Sequence, residues 1–424
     1  MKNSAMSFNL IMKLSITIIL FLLSSSAISC NQSLLEPQFL FGSDILVKEN
    51  LHLLDGERVG IVSNKNSVLI NGTHLVDTLL SLQINITALF SLEHGFSLDF
   101  ADGVLIKNSK EKIKSIPVHS LYGKAKKPTK EMLADVDLIL FDVQDVGARF
   151  YTYISSMFYI LQAGAERNIK IIILDRPNPL SGERVEGPVL DNDYKSFFGI
   201  APIPILHGMT IGELANLFSN ENYIASSSSD VEIIKMKEWE RINYWDDLNL
   251  TWFPTSPNIP LFETALVYPG TCLIEGTNIS EGRGTVNPFL TIGAPFINPK
   301  EFVNELNSDK INGVKISPVK FEPVEIKGKA VNPKFNGEEC YGINIKVTDK
   351  TKFSAIEFGL NLIYVLHKLY PDKFEFRENH FDLLTGTDRI RLSIEKGESP
   401  DHIKKLWQEQ LDNFKKIRNK YLLY

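Results

Sequence analysis

The chain has 424 residues, 44% hydrophobic and 23% charged, with a formal net charge of −6. This balance suits an ordinary buried core and excludes a disordered chain, and the length allows two or three domains. The acidic excess and the absence of a Lys/Arg cluster exclude a nucleic-acid binder.

Residues 1–30 read as a signal peptide rather than as fold. Lys2 and Lys13 precede an apolar run from Leu14 to Leu23, too short for a comfortable membrane span, and a small-residue zone follows. Cys30 closes that zone as in the acceptor pattern of bacterial lipoproteins, although Ala27 stands where the pattern prefers Leu. Lipidation at Cys30 is therefore expected, giving an exported protein, periplasmic or anchored to the outer membrane; simple cleavage nearby is the alternative. The two other cysteines, Cys272 and Cys340, are too few for a disulfide framework, and the sequence leaves open whether they pair.

Residues 31–39 are a polar tether, and residues 40–296 carry a repeated strand–turn–helix pattern. A strand over 58–63 ends at Asn64. A helix over 73–82 follows the Asn71-Gly72 turn, and a strand over 84–92 delivers Glu93, His94 and Gly95 at its carboxyl end. After a long loop, Pro128-Thr-Lys-Glu131 has capping-box character and predicts a short helix. The unbroken apolar run Val136–Phe141 reads as a strand buried on both faces. Asp142, Gln144, Asp145 and Arg149 come next, then an aromatic-rich helix through Leu161. A further strand over 169–174 is closed by Asp175 and Arg176.

This repeat predicts an α/β fold, a mostly parallel sheet with helices on both faces. Its carboxyl edge gathers Asn64, Glu93, His94, Asp142, Gln144, Asp145, Asp175 and Arg176, where open sheets hold ligands. A plain surface loop is the alternative for residues 142–149, but two acids, an amide and an arginine exceed what a turn requires. No Gly-x-Gly-x-x-Gly or Walker A run follows the first strand, and no His spacing suggests a metal, so no cofactor is expected.

His207, which bonds substrate or simply caps, precedes a helix through Phe218 with Thr210 as its cap; a strand over 231–235 follows. Residues 252–260 are proline-rich and aromatic, a shaped wall rather than a linker. The glycine-rich run 275–285 would let backbone approach a ligand while Glu275, Asn278, Glu281 and Arg283 point at it. The character changes near Pro295–Pro299, and residues 297–424 read as a smaller α+β domain. It holds helices over 300–306 and 353–369, strands over 314–321 and 341–347, and a last helix over 401–424. The stripe of that last helix is Ile403, Leu406, Leu411, Phe414 and Ile417.

The runs FSLEHG (90–95), PVHSLYGK (117–124), FDVQDVGARFYTY (141–153), DRPNPLSG (175–182), HGMTIGELA (207–215), SPNIP (256–260), YPGTCLIEGTNISEGRGT (268–285) and FDLLTGTD (381–388) closely resemble the exo-β-N-acetylmuramidase family, NamZ-type glycoside hydrolases. The resemblance spans residues 40–424. It implies a Rossmann-like domain, a smaller C-terminal domain and an active site in the cleft between them. It also implies release of β-1,4-linked N-acetylmuramic acid from the non-reducing end of peptidoglycan-derived muropeptides or disaccharides. Leu92, Asn287 and Leu290 depart from the family pattern.

Glycosidic cleavage needs a proton donor and stabilisation of an oxocarbenium-like centre. Glu93 is expected as donor or nucleophile. Glu281 is the first choice for the second carboxylate, with Asp142 and Asp145 behind it, and substrate-assisted chemistry is also open. Arg176 and Arg283 are candidates for the lactyl carboxylate, because guanidinium binds carboxylate bidentately. Tyr151, with His94, Asn64, Gln144, Arg149, His207 and Asn278, completes the expected sugar-binding set. Two other readings compete: a lipoprotein that binds muropeptides without cleaving them, and an ester hydrolase, against which the missing Gly-x-Ser-x-Gly elbow counts.

Overall fold

A computed structural model describes residues 39–424 apart from 94, 96–111, 114, 124, 222, 225–229 and 307–310. The expected signal peptide, Cys30 and His94 lie outside the described residues.

Nine strands come first in chain order: β1 (Val59–Ser63), β2 (Ile86–Ser91), β3 (Lys112–Ile113), β4 (Ile116–Ser120), β5 (Leu138–Asp142), β6 (Lys170–Leu174), β7 (Glu186–Val189), β8 (Pro204–Leu206) and β9 (Val231–Ile234). Seven of them form one sheet in the order β3-β4-β2-β1-β5-β6-β9. Its strands run parallel except β3, which pairs antiparallel with β4 at one edge. Strands β7 and β8 make a separate antiparallel ribbon.

Alternation along the strands assigns the two faces. Ile61, Leu89, Leu138, Leu140 and Ile172 pack under helices α1 (Gly42–Glu49) and α2 (Leu75–Ser81). Val62, Phe90, Ile139, Phe141 and Ile173 pack under α3 (Tyr153–Ala165) and α4 (Ile211–Asn220). Thr210 caps α4, as the sequence predicts, and Glu213 completes a capping box with it. In register, Ser63 lies opposite both Ser91 and Asp142, so the carboxyl ends of β2, β1 and β5 finish level.

The smaller antiparallel sheet has the order β10-β12-β11, from β10 (Thr291–Ala294), β11 (Val314–Phe321) and β12 (Cys340–Val347). Its first strand precedes the expected break near residue 297. Helices α5 (Phe262–Thr271), α6 (Pro299–Leu306) and α7 (Ala355–Leu369) pack with it, followed by α8 (Glu378–Thr385), α9 (Arg389–Glu395), α10 (Pro400–Lys405) and α11 (Gln408–Arg418). Helices α5 and α7 touch through Gly270 and Gly359; a Cβ at Gly270 would stand 1.9 Å from the Ala355 carbonyl oxygen. Only glycine permits backbones to pass that closely.

Two predicted elements differ. No helix follows Pro128: residues 130–135 make hydrogen-bonded turns such as Ala134 N–H to Glu131 O, because β5 begins too soon for a helix to propagate. The last predicted helix is broken. Buried Trp407 separates α10 from α11, and residues 421–424 leave the helix to return to the large sheet. There the Tyr424 hydroxyl donates to Asp175 (2.8 Å) and accepts from the Met236 N–H (2.8 Å), while the Leu423 N–H donates to Glu213. The end of the chain thus closes over the carboxyl edge beside β6.

Candidate active site

A cavity of about 520 Å³ opens between the two sheets' loops. Glu93, just past β2, and Tyr151 and Thr152, just before α3, form one wall. Tyr122, Phe198, Ser256 and Ile259 of the large-sheet region line it too, with the run 272–283, the loop between β11 and β12, and α8.

Glu93 is held at side chain and backbone. The Thr152 hydroxyl donates to its Oε2 at 2.7 Å, and the Tyr153 hydroxyl reaches its carbonyl oxygen at 3.3 Å. Asn64 in turn donates to the Tyr153 hydroxyl at 3.2 Å, so this residue acts behind the wall rather than on a ligand.

Glu281 is only 4% exposed. Gly282 beside it sits at φ +79°, and a Cβ there would be 2.3 Å from the Thr291 carbonyl oxygen, so the turn that presents Glu281 requires glycine. The Lys334 ammonium lies 3.1 Å from Glu281 Oε2, and the Arg283 Nε lies 3.5 Å from Oε1. Burial pushes the Glu281 carboxyl up, but Lys334 and Arg283 outweigh it and hold it below its ordinary value. Glu281 is therefore an anion at neutral pH. Lys334 also donates to the carbonyls of Ile274 (3.0 Å) and Ile279 (2.8 Å), and Arg283 donates twice to Glu275 Oε1 at 2.8 and 2.6 Å.

Aromatic rings line the cavity between these carboxylates. Tyr268 meets Phe289 edge-on at 5.0 Å, Phe150 at 5.4 Å and Tyr151 at 6.2 Å. Such rings offer apolar faces to sugar C–H groups and polar tips to hydroxyls. Cys272 is a free, buried thiol in the same wall, pushed well above its ordinary value by burial and by Glu275. Cys340 is also free. Among the described residues no cluster of three His, Cys, Asp or Glu side chains could hold a metal ion.

Of the residues singled out in the sequence, the cavity brings together Glu93, Tyr151, Glu275, Glu281 and Arg283. The others are occupied elsewhere. Asp142 is fully buried and paired bidentately with Arg176 at 2.6 and 3.0 Å, and Arg176 also donates to the Val68 carbonyl. Neither lines the cavity, so their charges neutralise each other instead of facing a ligand. Gln144 donates to the Asp145 and Pro177 carbonyls, both at 2.8 Å. Asp145 accepts from the Gly147 N–H at 2.6 Å, and burial pushes its carboxyl up to about 7. Asp175 accepts from Thr210, Gly212 and Tyr424. Arg149 donates to the carbonyls of Pro188, Ile203 and Leu384, a buried brace between the large-sheet region and α8, and burial pushes it down to about 9. His207 is buried, with Nδ1 accepting from the Met209 N–H; burial pushes it down to about 3, so it is neutral. Asn278 ties down residues 373–375 through the Lys373 carbonyl and the Glu375 N–H.

Sequence reasoning passed over Thr152, Tyr268, Lys329, Lys334, Arg377 and His380, all of which line the cavity. Thr152 stood inside the aromatic run 150–153, where the tyrosines drew the attention. The loop carrying Lys329 and Lys334 has no motif, and only its return beneath Glu281 reveals its role.

Comparison with known proteins identifies the family. Residues 59–263 match the family described as exo-β-N-acetylmuramidase NamZ, N-terminal, and residues 266–424 match its C-terminal counterpart. The peptidoglycan β-N-acetylmuramidase NamZ of Bacillus subtilis (strain 168) is 44% identical over 406 residues, covering 95% of each chain. A crystal structure of a DUF1343 family protein from Bacteroides fragilis NCTC 9343 superposes with a TM-score of 0.82 at 31% identity, covering 92% of this chain and 100% of that one. A second DUF1343 family protein from the same strain gives a TM-score of 0.71 at 34% identity, over 91% and 99% of the two chains. The chain belongs to the exo-β-N-acetylmuramidase NamZ family.

Proposed function

We propose that this chain is an exo-acting glycoside hydrolase releasing β-1,4-linked N-acetylmuramic acid from the non-reducing end of peptidoglycan fragments. Family membership sets the reaction class, and one observation carries the assignment of roles. Three carboxylates line one cavity: Glu275 is taken up in its pair with Arg283, and Glu281 is held ionised by Lys334 and Arg283. A glycosidase needs one carboxyl able to give a proton and another able to bear negative charge. Glu281 fits the second role and is unsuited to the first. That leaves Glu93, with its Thr152 partner fixing the carboxyl plane, as the donor to the departing oxygen. The Glu281 anion then stabilises the positive charge that develops at the anomeric carbon.

The direct test is incubation of purified protein with the β-1,4-linked disaccharide of N-acetylmuramic acid and N-acetylglucosamine. Free N-acetylmuramic acid is the expected product. Saturable binding with no sugar released would make the protein a muropeptide-binding lipoprotein instead. The proposed address is an exported, lipid-anchored protein, periplasmic or held at the outer membrane, and it rests on the sequence pattern before Cys30. Cys30→Ser should shift the protein from the membrane fraction to the soluble fraction; unchanged fractionation would remove the anchor from the account.

A further inference from the structure

Charge counting in the cavity exposes two cations with nothing to neutralise. Four cationic side chains line it, Arg283, Lys329, Lys334 and Arg377, against three carboxylates, Glu93, Glu275 and Glu281. Glu275 takes the Arg283 guanidinium, and Glu281 takes Lys334. Glu93 is engaged by the Thr152 hydroxyl rather than by a cation. Two paired carboxylates therefore face four cationic side chains, and His380 adds nothing, because burial pushes its pKa down. Among the described residues neither Lys329 nor Arg377 has a carboxylate partner; the contact recorded for the Arg377 guanidinium is a 3.5 Å approach to the Glu275 carbonyl.

Both cations sit on fixed backbone. The Lys329 carbonyl accepts from the buried Asn258 side chain at 2.8 Å, and its N–H closes a turn onto Ile326. The Arg377 N–H donates to the Gly276 carbonyl at 2.8 Å, at the start of α8. The backbone that carries both charges is therefore fixed by the fold. Arg176, which the sequence suggested for anion binding, is consumed by Asp142.

The geometry points to Lys329 and Arg377 as a specificity pair that reads an anion on the glycone, namely the carboxylate of the lactyl ether that distinguishes muramic acid from glucosamine. The inference rests on the glycosidase reading above and adds the residues that select its substrate. An uncharged N-acetylglucosaminide would leave Lys329 and Arg377 without a counter-charge. A muramide supplies one negative charge on a flexible ether arm, and guanidinium and ammonium are suited to bind it.

The test compares chromogenic β-N-acetylmuramide and β-N-acetylglucosaminide as substrates for wild type, Lys329→Met, Arg377→Met, the double variant and Lys329→Arg. Each single loss should lower the muramide-to-glucosaminide ratio of kcat/KM about tenfold, less than a fully desolvated ion pair would give, because both side chains are open to solvent. The double variant should lose more, and Lys329→Arg should restore most of the ratio. Unchanged discrimination in a double variant with wild-type thermal stability would overturn the assignment. Calorimetric binding of free N-acetylmuramic acid and N-acetylglucosamine to the same variants separates the two layers of the argument. If wild type cleaves neither substrate yet prefers the acidic sugar through Lys329 and Arg377, the glycosidase reading falls and the specificity pair stands. If it cleaves the muramide with no dependence on either residue, the pair falls and the glycosidase stands.

Discussion

Replacing Lys334 with Met tests the electrostatic division of labour between the two carboxylates. The ammonium is 3.1 Å from Glu281 Oε2, and Glu281 is almost fully buried. Coulomb's law at an effective dielectric of about 20 gives on the order of 5 kcal/mol for that separation as a ceiling. Arg283 remains at 3.5 Å from the other oxygen, and relaxation around the vacated site reduces the effect further. Loss of Lys334 therefore lets burial push the Glu281 carboxyl upward. The sign is fixed. Reaction requires the Glu281 anion, Lys334 favours that anion, and its removal means protonation begins at higher pH. The acid limb of the kcat/KM profile on a chromogenic muramide should move toward neutrality, with the alkaline limb moving less. Lys334 also holds the Ile274 and Ile279 carbonyls, so thermal melting must accompany the assay. A stably folded Lys334→Met variant whose acid limb does not move would refute the role given to Glu281.

Two further predictions concern the residues that the cavity excludes. Asp142→Ala leaves the Arg176 guanidinium buried without its partner and should destabilise the fold by about 3–5 kcal/mol in denaturant unfolding, with activity per folded molecule kept within a few-fold; a turnover collapse at undiminished stability would return Asp142 to the chemistry. Tyr424→Phe removes a hydroxyl shared by Asp175 and the Met236 N–H and should lose about 1–3 kcal/mol in the same measurement; no change would mean that the final residue is not a structural clasp.

The parallel sheet was legible because β1, β5 and β6 are short, continuous apolar runs, a pattern that burial on both faces demands. Helix α4 was legible from its cap, Thr210, whereas the capping-box pattern at 128–131 gave only turns. The convergence of polar residues at the carboxyl edge was also correct as geometry, since Ser63, Ser91 and Asp142 do end level. What the sequence could not convey was how those residues are neutralised. Asp142 and Arg176 are 34 positions apart, and Asp175 meets Tyr424 across 249. Each looked free when read along the chain, and each is satisfied by a partner that only tertiary packing supplies. The cavity consequently takes Glu93 from that edge and draws its charged side chains on the other walls from C-terminal segments. Lys334 is the sharpest case: an unremarkable lysine in a loop without periodicity, it sets the charge state of Glu281 from 53 residues away.

The central claim is that Glu93 gives the proton in a cavity where Glu281 stays charged. Turnover of a β-N-acetylmuramide by Glu93→Gln, measured beside calorimetric binding of N-acetylmuramic acid, tests it most directly. The Gln side chain keeps the Thr152 hydrogen bond and the shape of the wall while removing the transferable proton. Binding should stay within a few-fold of wild type while kcat falls by on the order of 10² or more, the range typical of a lost general acid. Wild-type turnover by Glu93→Gln, with Glu281→Gln inactive, would contradict the account and hand the leading role to Glu281.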